Sequence, residues 1–217
     1  MQTFRYKDGL WNEHPVMEVC SPQALERDPQ RVLDFYNTLR RKVHSIEPNL
    51  AHVALTKLQQ EYPGQVSIIT QNVDPLHEQS GSEVIHMHGE LLKACCPVSQ
   101  EPIDWQGDIR LGEDLCDCCA TPQQLRPWIT FFEEMPKFMS QIEQLLANAD
   151  LFVAIGTSGK VYPAAGFVYA AKSNGAYCIE VNLEPGDLCE EFHESRQGNA
   201  TELVPELVEQ LLAGSEA

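Results

Sequence analysis

The chain is predicted to be an α/β protein: a doubly wound parallel, Rossmann-like sheet with a small cysteine-containing insert lobe and a helical insert. Three observations carry that expectation. The apolar runs VSIIT, ending at Thr70, and DLFVAI, ending at Ile155, read as short buried strands, and polar or small residues follow each at once. Amphipathic helical stretches alternate with such strands, as crossover connections in a parallel sheet do. A turn-rich segment after Gly89 holds five of the eight cysteines. The expected division is residues 1–91 and 125–217 for the Rossmann-like domain, with the helical insert at about 21–48, and 92–124 for the cysteine lobe.

Bulk properties narrow the function. A chain of 217 residues, 43% hydrophobic, has enough apolar surface for one substantial core or a main domain with an insert. No apolar run approaches membrane-spanning length, and MQTFRYKDGLW carries no signal-peptide core, so a cytoplasmic chain with reduced thiols is expected. A formal net charge of −17 argues against a nucleic-acid binder, whose footprint is a basic patch. It suits partners with local positive charge.

In order along the chain, Ser21-Pro22 and Asp28-Pro29 each set a capping side chain before a proline at the first helical position. Val32, Phe35, Tyr36 and Leu39 recur at helical spacing and read as a core stripe. EPNLAHVALTKLQQEY is a further amphipathic helix, closed by Gly64. After VSIIT come Gln71, Asn72 and Asp74, where an open α/β sheet presents its ligand site. VIHMH is the next β-rich piece, with His86 and His88 facing one side and Met87 the other. A histidine followed by a permissive glycine, next to uncharged polar groups, has the chemistry to orient a sugar and take a proton from it.

Structural zinc requires two pairs of thiolates at short spacing. Cys116 and Cys119 make one pair; in the other, Cys96 has Ser99 where a second thiolate belongs. Cys118 is the available substitute, giving a three-thiolate site with water or another ligand. The alternative is a metal-free lobe packed around Trp105. KFMSQIEQLLANA, YPAAGFVYAAKSNGA and GNATELVPELVEQLL read as helices, and AYCIEVNLE as a parallel strand delivering Asn182 and Glu184.

TQNVDPLHEQSG followed by IHMHGELLK resembles the central signature of the sirtuins, the NAD-dependent protein-lysine deacylases, in their CobB-type bacterial form. The likeness runs from TFR at Thr3 to the last helix. It implies acyl-lysine removal with NAD consumed, His88 as general base, and Asn72 positioning the ribose and water. Gln71 touches the ribose in this reading, Asp74 binds the nicotinamide carboxamide, and Val73 lies between them in the motif. Phe4 and Arg5 cover the cofactor, Gly156, Thr157 and Ser158 match its GTS loop, and Asn182, Leu183 and Glu184 hold the adenosine ribose. A backbone group at Ala200 meets the adenine. Zinc is implied on Cys96, Cys116 and Cys119, in a structural role. The expected partners are acylated lysine side chains of proteins, with no nucleic acid or membrane, on a monomer.

Three departures from the family pattern matter. The likeness begins after the glycine-rich phosphate loop, which leaves two readings: a product starting further upstream, or a catalytically impaired module that binds acyl peptide or NAD fragments without turnover. Acid-preferring sirtuins carry a Tyr-x-x-Arg pair; here Tyr36 is followed by Leu39, and Arg40 comes one position late. One residue turns a helix by about 100°, so Arg40 is expected to point away and uncharged acyl groups to be preferred. Glu133 stands where the peptide-binding segment has glycine, which either favours basic flanking residues or obstructs the loop.

Overall fold

The computed structural model describes residues 16–215. Phe4 and Arg5 therefore lie outside the described residues. The described residues divide into two compact units, one of residues 16–47, 70–75 and 86–137, the other of 48–69, 76–85 and 138–215.

The first unit begins with helices α1 (Pro22–Arg27) and α2 (Pro29–Val43), and both start as the sequence predicts. Ser21 accepts from the Ala24 N–H and Asp28 from the Arg31 N–H, so each cap satisfies an otherwise orphaned donor. The α2 stripe is buried: Val32, Phe35, Tyr36 and Leu39 pack with Val19, Leu91, Ile129 and Phe131. Each such side chain contributes about 1.5–3 kcal/mol on removal from water. Leu33, on another face, joins Ala94, Ile109, Leu125, Cys96 and Cys116 in a second cluster, against which Trp105 packs.

Strands β1 (Ile68–Thr70) and β2 (Val84–His86) form a two-stranded sheet. In the first unit β3 (Gly89–Cys95) is the centre of an antiparallel sheet, with β4 (Pro102–Asp104) on one side and β5 (Arg126–Ile129) on the other. The strand reading of VIHMH holds only to His86: Met87 and His88 form a turn. The cause is Gly89 at the start of β3, whose φ of +81° lies outside the β region of L-residues and breaks the extended run before it.

In the second unit, α3 (Leu50–Glu61) starts from a capping box of Asn49 with His52 and ends at Tyr62, two residues before the expected glycine. The short α4 spans Leu76–Ser80. The rest follows the predicted alternation in α5 (Met139–Ala147), β6 (Leu151–Ile155), α6 (Phe167–Ser173), β7 (Tyr177–Asn182) and α7 (Ala200–Gly214), with one strand the sequence did not predict, β8 (Glu194–Gln197). Strands β6, β7 and β8 are parallel neighbours in that order. Ala51, Ala54 and Leu58 of α3 and Val204, Leu207 and Val208 of α7 share a core with Ile179 and Val181 of β7. The parallel sheet among the described residues thus has three strands, beside an antiparallel and a two-stranded sheet. Among those residues no helix is long and apolar enough to cross a membrane.

Candidate functional site

In the first unit the loop after β1 is stitched to the segment that follows β2. The Thr70 carbonyl accepts from the Met87 N–H at 3.1 Å, and the Val73 carbonyl from the Leu91 N–H at 2.7 Å. Between them, Gln71 O meets His88 Nδ1 at 3.0 Å and Asn72 O meets His86 Nδ1 at 3.0 Å. Both histidines therefore reach one loop, though not because they share a strand face. A carbonyl only accepts, so Nδ1 of His88 carries its proton and Nε2 keeps a lone pair. That is the tautomer a base requires. Burial lowers the His88 pKa from 6.5, partly opposed by the Gln71 carbonyl, which favours the charged ring.

The backbone around His88 is clamped as well. Its carbonyl accepts from the Thr130 N–H at 2.8 Å, and the Met87 carbonyl from the Lys137 N–H at 2.8 Å. At Gly89 a Cβ would lie 1.9 Å from the Trp128 carbonyl oxygen, so the His-Gly pair is a packing requirement as well as a conformational one. Asp74 is buried and Asn72 exposed, its N–H held by Thr70 Oγ1 at 3.0 Å.

Tyr36 sits in the first core, stacked on Phe131 with centroids 5.8 Å apart. Its hydroxyl pKa is raised, chiefly by burial and further by the neighbouring Cys20 with which it bonds. Arg40 is 1% exposed, with its guanidinium donating to the carbonyls of Trp105 at 2.5 Å and Lys93 at 2.6 Å. It ties α2 to β3 and to the loop after β4.

Glu133 has φ of +74°, the left-handed backbone that its glycine counterpart adopts freely. The loop conformation is thus kept, and the carboxylate accepts from Gln23 Nε2 at 2.8 Å. Left-handed strain of about 1–2 kcal/mol exceeds the 0.5–1 kcal/mol that glycine's freedom adds to the unfolded chain. Glu133→Gly is therefore expected to stabilise the protein by about 0.5 kcal/mol in urea unfolding, and a clear loss would contradict the strain assignment.

The four sulfurs of Cys96, Cys116, Cys118 and Cys119 lie within 4.8 Å of one another. Cys96 and Cys119 are 3.7 Å apart and Cys118 and Cys119 3.8 Å. A zinc tetrahedron with bonds of ~2.3 Å has edges of about 3.8 Å, so the donor set fits zinc. Cys118 completes the set, while Ser99 accepts from its thiol at 3.6 Å. The three-thiolate expectation is corrected to four. The sequence signal was the third cysteine in the Cys116–Cys119 run. Backbone N–H groups, first that of Ser99, hold the Cys96 thiol down at about 6. A hydrogen bond to the neighbouring Cys96 sulfur, followed by burial, pushes Cys119 up to about 12, because the bond holds the proton on the Cys119 thiol.

In the second unit, Gly156, Thr157 and Ser158 follow β6, and Asn182 ends β7 with Leu183 and Glu184 after it, at the carboxyl ends of parallel strands where open α/β sheets bind ligands. Asn182 Nδ2 donates to the Thr157 carbonyl at 2.7 Å and so joins the two loops. Gly156, at φ +64°, has open space where a Cβ would be, leaving its backbone accessible to a ligand. Ala200 opens α7 and is half-buried. Small residues, exposed polar groups and parallel strand ends together fit a dinucleotide.

The family model described as Sir2 family matches residues 1–163. The NAD-dependent protein deacylase of Vibrio cholerae is 55% identical over 216 residues, covering 98% of this chain and 87% of that protein. The NAD-dependent protein deacylase of Escherichia coli is 50% identical over 220 residues, covering 100% of this chain and 78% of that protein. Among solved structures, a Sir2 homologue in complex with ADP-ribose superposes with a TM-score of 0.90 at 33% identity, covering 100% of this chain and 87% of that one. A Sir2 protein bound to a myristoylated histone peptide gives 0.74 at 30% identity, covering 93% and 87%. Half-identical relatives over nearly the full chain, and a shared fold, show that this chain belongs to the Sir2 family, the sirtuins.

Proposed function

We propose that this protein is an NAD-dependent protein-lysine deacylase that transfers the acyl group to ADP-ribose and releases nicotinamide. The observation that carries this reading is His88: its Nδ1 is committed to the Gln71 carbonyl, leaving Nε2 as a base on a clamped backbone. The Vibrio cholerae and Escherichia coli relatives that carry the same activity in their names support it. NAD supplies an activated ribose–nicotinamide bond and the ADP-ribose acceptor. His88 draws the proton from a ribose hydroxyl, Asn72 orients ribose and water, Gln71 contacts the ribose, and Asp74 holds the carboxamide. Val73 packs its side chain on the first core and so fixes the loop. The family resemblance gives cofactor-binding roles to Gly156–Ser158, Asn182–Glu184, Ala200, Phe4 and Arg5 as well. Zinc on the four cysteines holds the lobe, assigned to residues 92–124, and takes no part in the chemistry. Residues 1–91 and 125–217 form the NAD-binding domain.

The substrates are acylated lysine side chains, and the chain acts as a cytoplasmic monomer without nucleic acid or membrane. Uncharged acyl groups are preferred over acidic ones. The Tyr36 hydroxyl is engaged with Cys20, Leu39 stands where an arginine would serve, and two carbonyls occupy the Arg40 guanidinium. The Tyr-x-x-Arg position thus presents no cation to a succinyl carboxylate, and a missing charge-assisted bond costs about 1.5–3 kcal/mol. Deacetylation should therefore exceed desuccinylation by at least about tenfold in kcat/KM on matched peptides. Equal efficiencies would contradict the assignment.

A further inference from the structure

We infer that Glu180 is a positioning residue for the cofactor loops, an inference that rests on the reading of Gly156–Ser158 and Asn182–Glu184 as NAD-binding. Glu180 lies in the central parallel strand β7 and is 2% exposed. A carboxylate taken out of water in such a strand is costly unless its oxygens are hydrogen-bonded. Both are. Oε1 accepts from the Gly186 N–H at 3.0 Å and Oε2 from the Ser195 hydroxyl at 2.9 Å, across the pairing of β7 with β8.

Neither donor is a cation, so the carboxylate neutralises no charge through them. What it does is hold the segment leaving β7. Gly186 ends the stretch that starts at Asn182, and a Cβ there would lie 2.5 Å from Glu180 Oε1 and 3.5 Å from the Thr157 carbonyl. The next residue, Asp187, donates its N–H to the Ser158 carbonyl at 3.3 Å, and its carboxylate pairs with Lys160 at 3.3 Å. Glu180 therefore anchors from below the same segment that Asn182 and Asp187 tie to the Gly156–Ser158 loop. Without the anchor the segment samples other positions, and NAD affinity falls by the fraction of molecules still in the competent one.

The test is calorimetric titration of the full chain with NAD and, separately, with an acetyl-lysine peptide. Glu180→Leu is expected to weaken NAD binding by about tenfold and peptide binding by less than about twofold. Glu180→Gln keeps an oxygen for Gly186 and turns an amide toward Ser195, and should recover to within about threefold of the parent. Gly186→Ala presses on the same contact from the other side and should repeat the selective NAD loss, which covers the case of a poorly folded leucine variant. NAD affinity unchanged in Glu180→Leu and Gly186→Ala, or NAD and peptide binding lost in equal proportion, overturns the positioning role. A parent chain that binds peptide but no NAD overturns the cofactor reading beneath it.

Discussion

His88→Ala is expected to lower kcat by about a hundredfold to ten-thousandfold while NAD binding stays within about twofold. The magnitude follows from the role: a positioned base is removed, and the turn that carried it remains. Met87 and residue 88 are fixed through their backbone carbonyls, by Lys137 and Thr130, so the alanine variant keeps the turn. The pH dependence has a definite sign. Burial holds the His88 pKa below 6.5, so the ring stays a neutral base as pH falls through 6.5. The acid limb of kcat/KM should therefore bend below pH 6.5 and disappear in the alanine variant; a limb above 6.5 contradicts the assignment. Linkage runs the same way. A histidine whose folded pKa is depressed binds fewer protons folded than unfolded, so its contribution to stability declines as pH drops from 6.5 toward the folded value.

Cys118→Ser is expected to weaken zinc binding strongly, whereas Ser99→Ala leaves the metal content unchanged. Four thiolates on one ion share a binding free energy of about 10–16 kcal/mol in small structural sites, which is folding free energy for the lobe they close. Removing one sulfur from a set whose separations already match a zinc tetrahedron leaves an incomplete site. Elemental analysis of the purified chain should give one zinc, falling well below one in Cys118→Ser. Thermal unfolding should drop by about 10 °C or more as the metal contribution is lost. Full zinc occupancy in Cys118→Ser, with loss in Ser99→Ala, would mean the serine supplies the ligand instead.

Much of this was legible in the chain because local chemistry and tertiary structure agree. Ser21, Asp28 and the α2 stripe predicted their helices, since cap, proline and apolar spacing all ask for the same backbone. VSIIT and DLFVAI predicted strand ends because short apolar runs with β-branched residues favour extended backbone, although both strands are mostly half-buried and not fully buried as expected. What stayed hidden depends on contacts distant in sequence. β8, ESRQ, has no apolar signal at all: it is a half-exposed edge strand formed by pairing to β7. The turn at Met87-His88 interrupts a sequence that alternates like a strand, because the Trp128 carbonyl, far along the chain, demands glycine at position 89. Arg40, of which the helix pattern said only that it points away from the acyl pocket, is among the most buried side chains, since two carbonyls from other elements receive it. The pairing of Gln71 and Asn72 carbonyls with His88 and His86 leaves no trace in composition.

The most direct test of the central claim is product analysis by mass spectrometry, with the purified chain incubated with an acetyl-lysine peptide and NAD. The account predicts deacetylated peptide, nicotinamide and O-acetyl-ADP-ribose in equal amounts, all absent with His88→Ala. Deacetylated peptide with free acetate and intact NAD, or NAD that binds without any product, would contradict it.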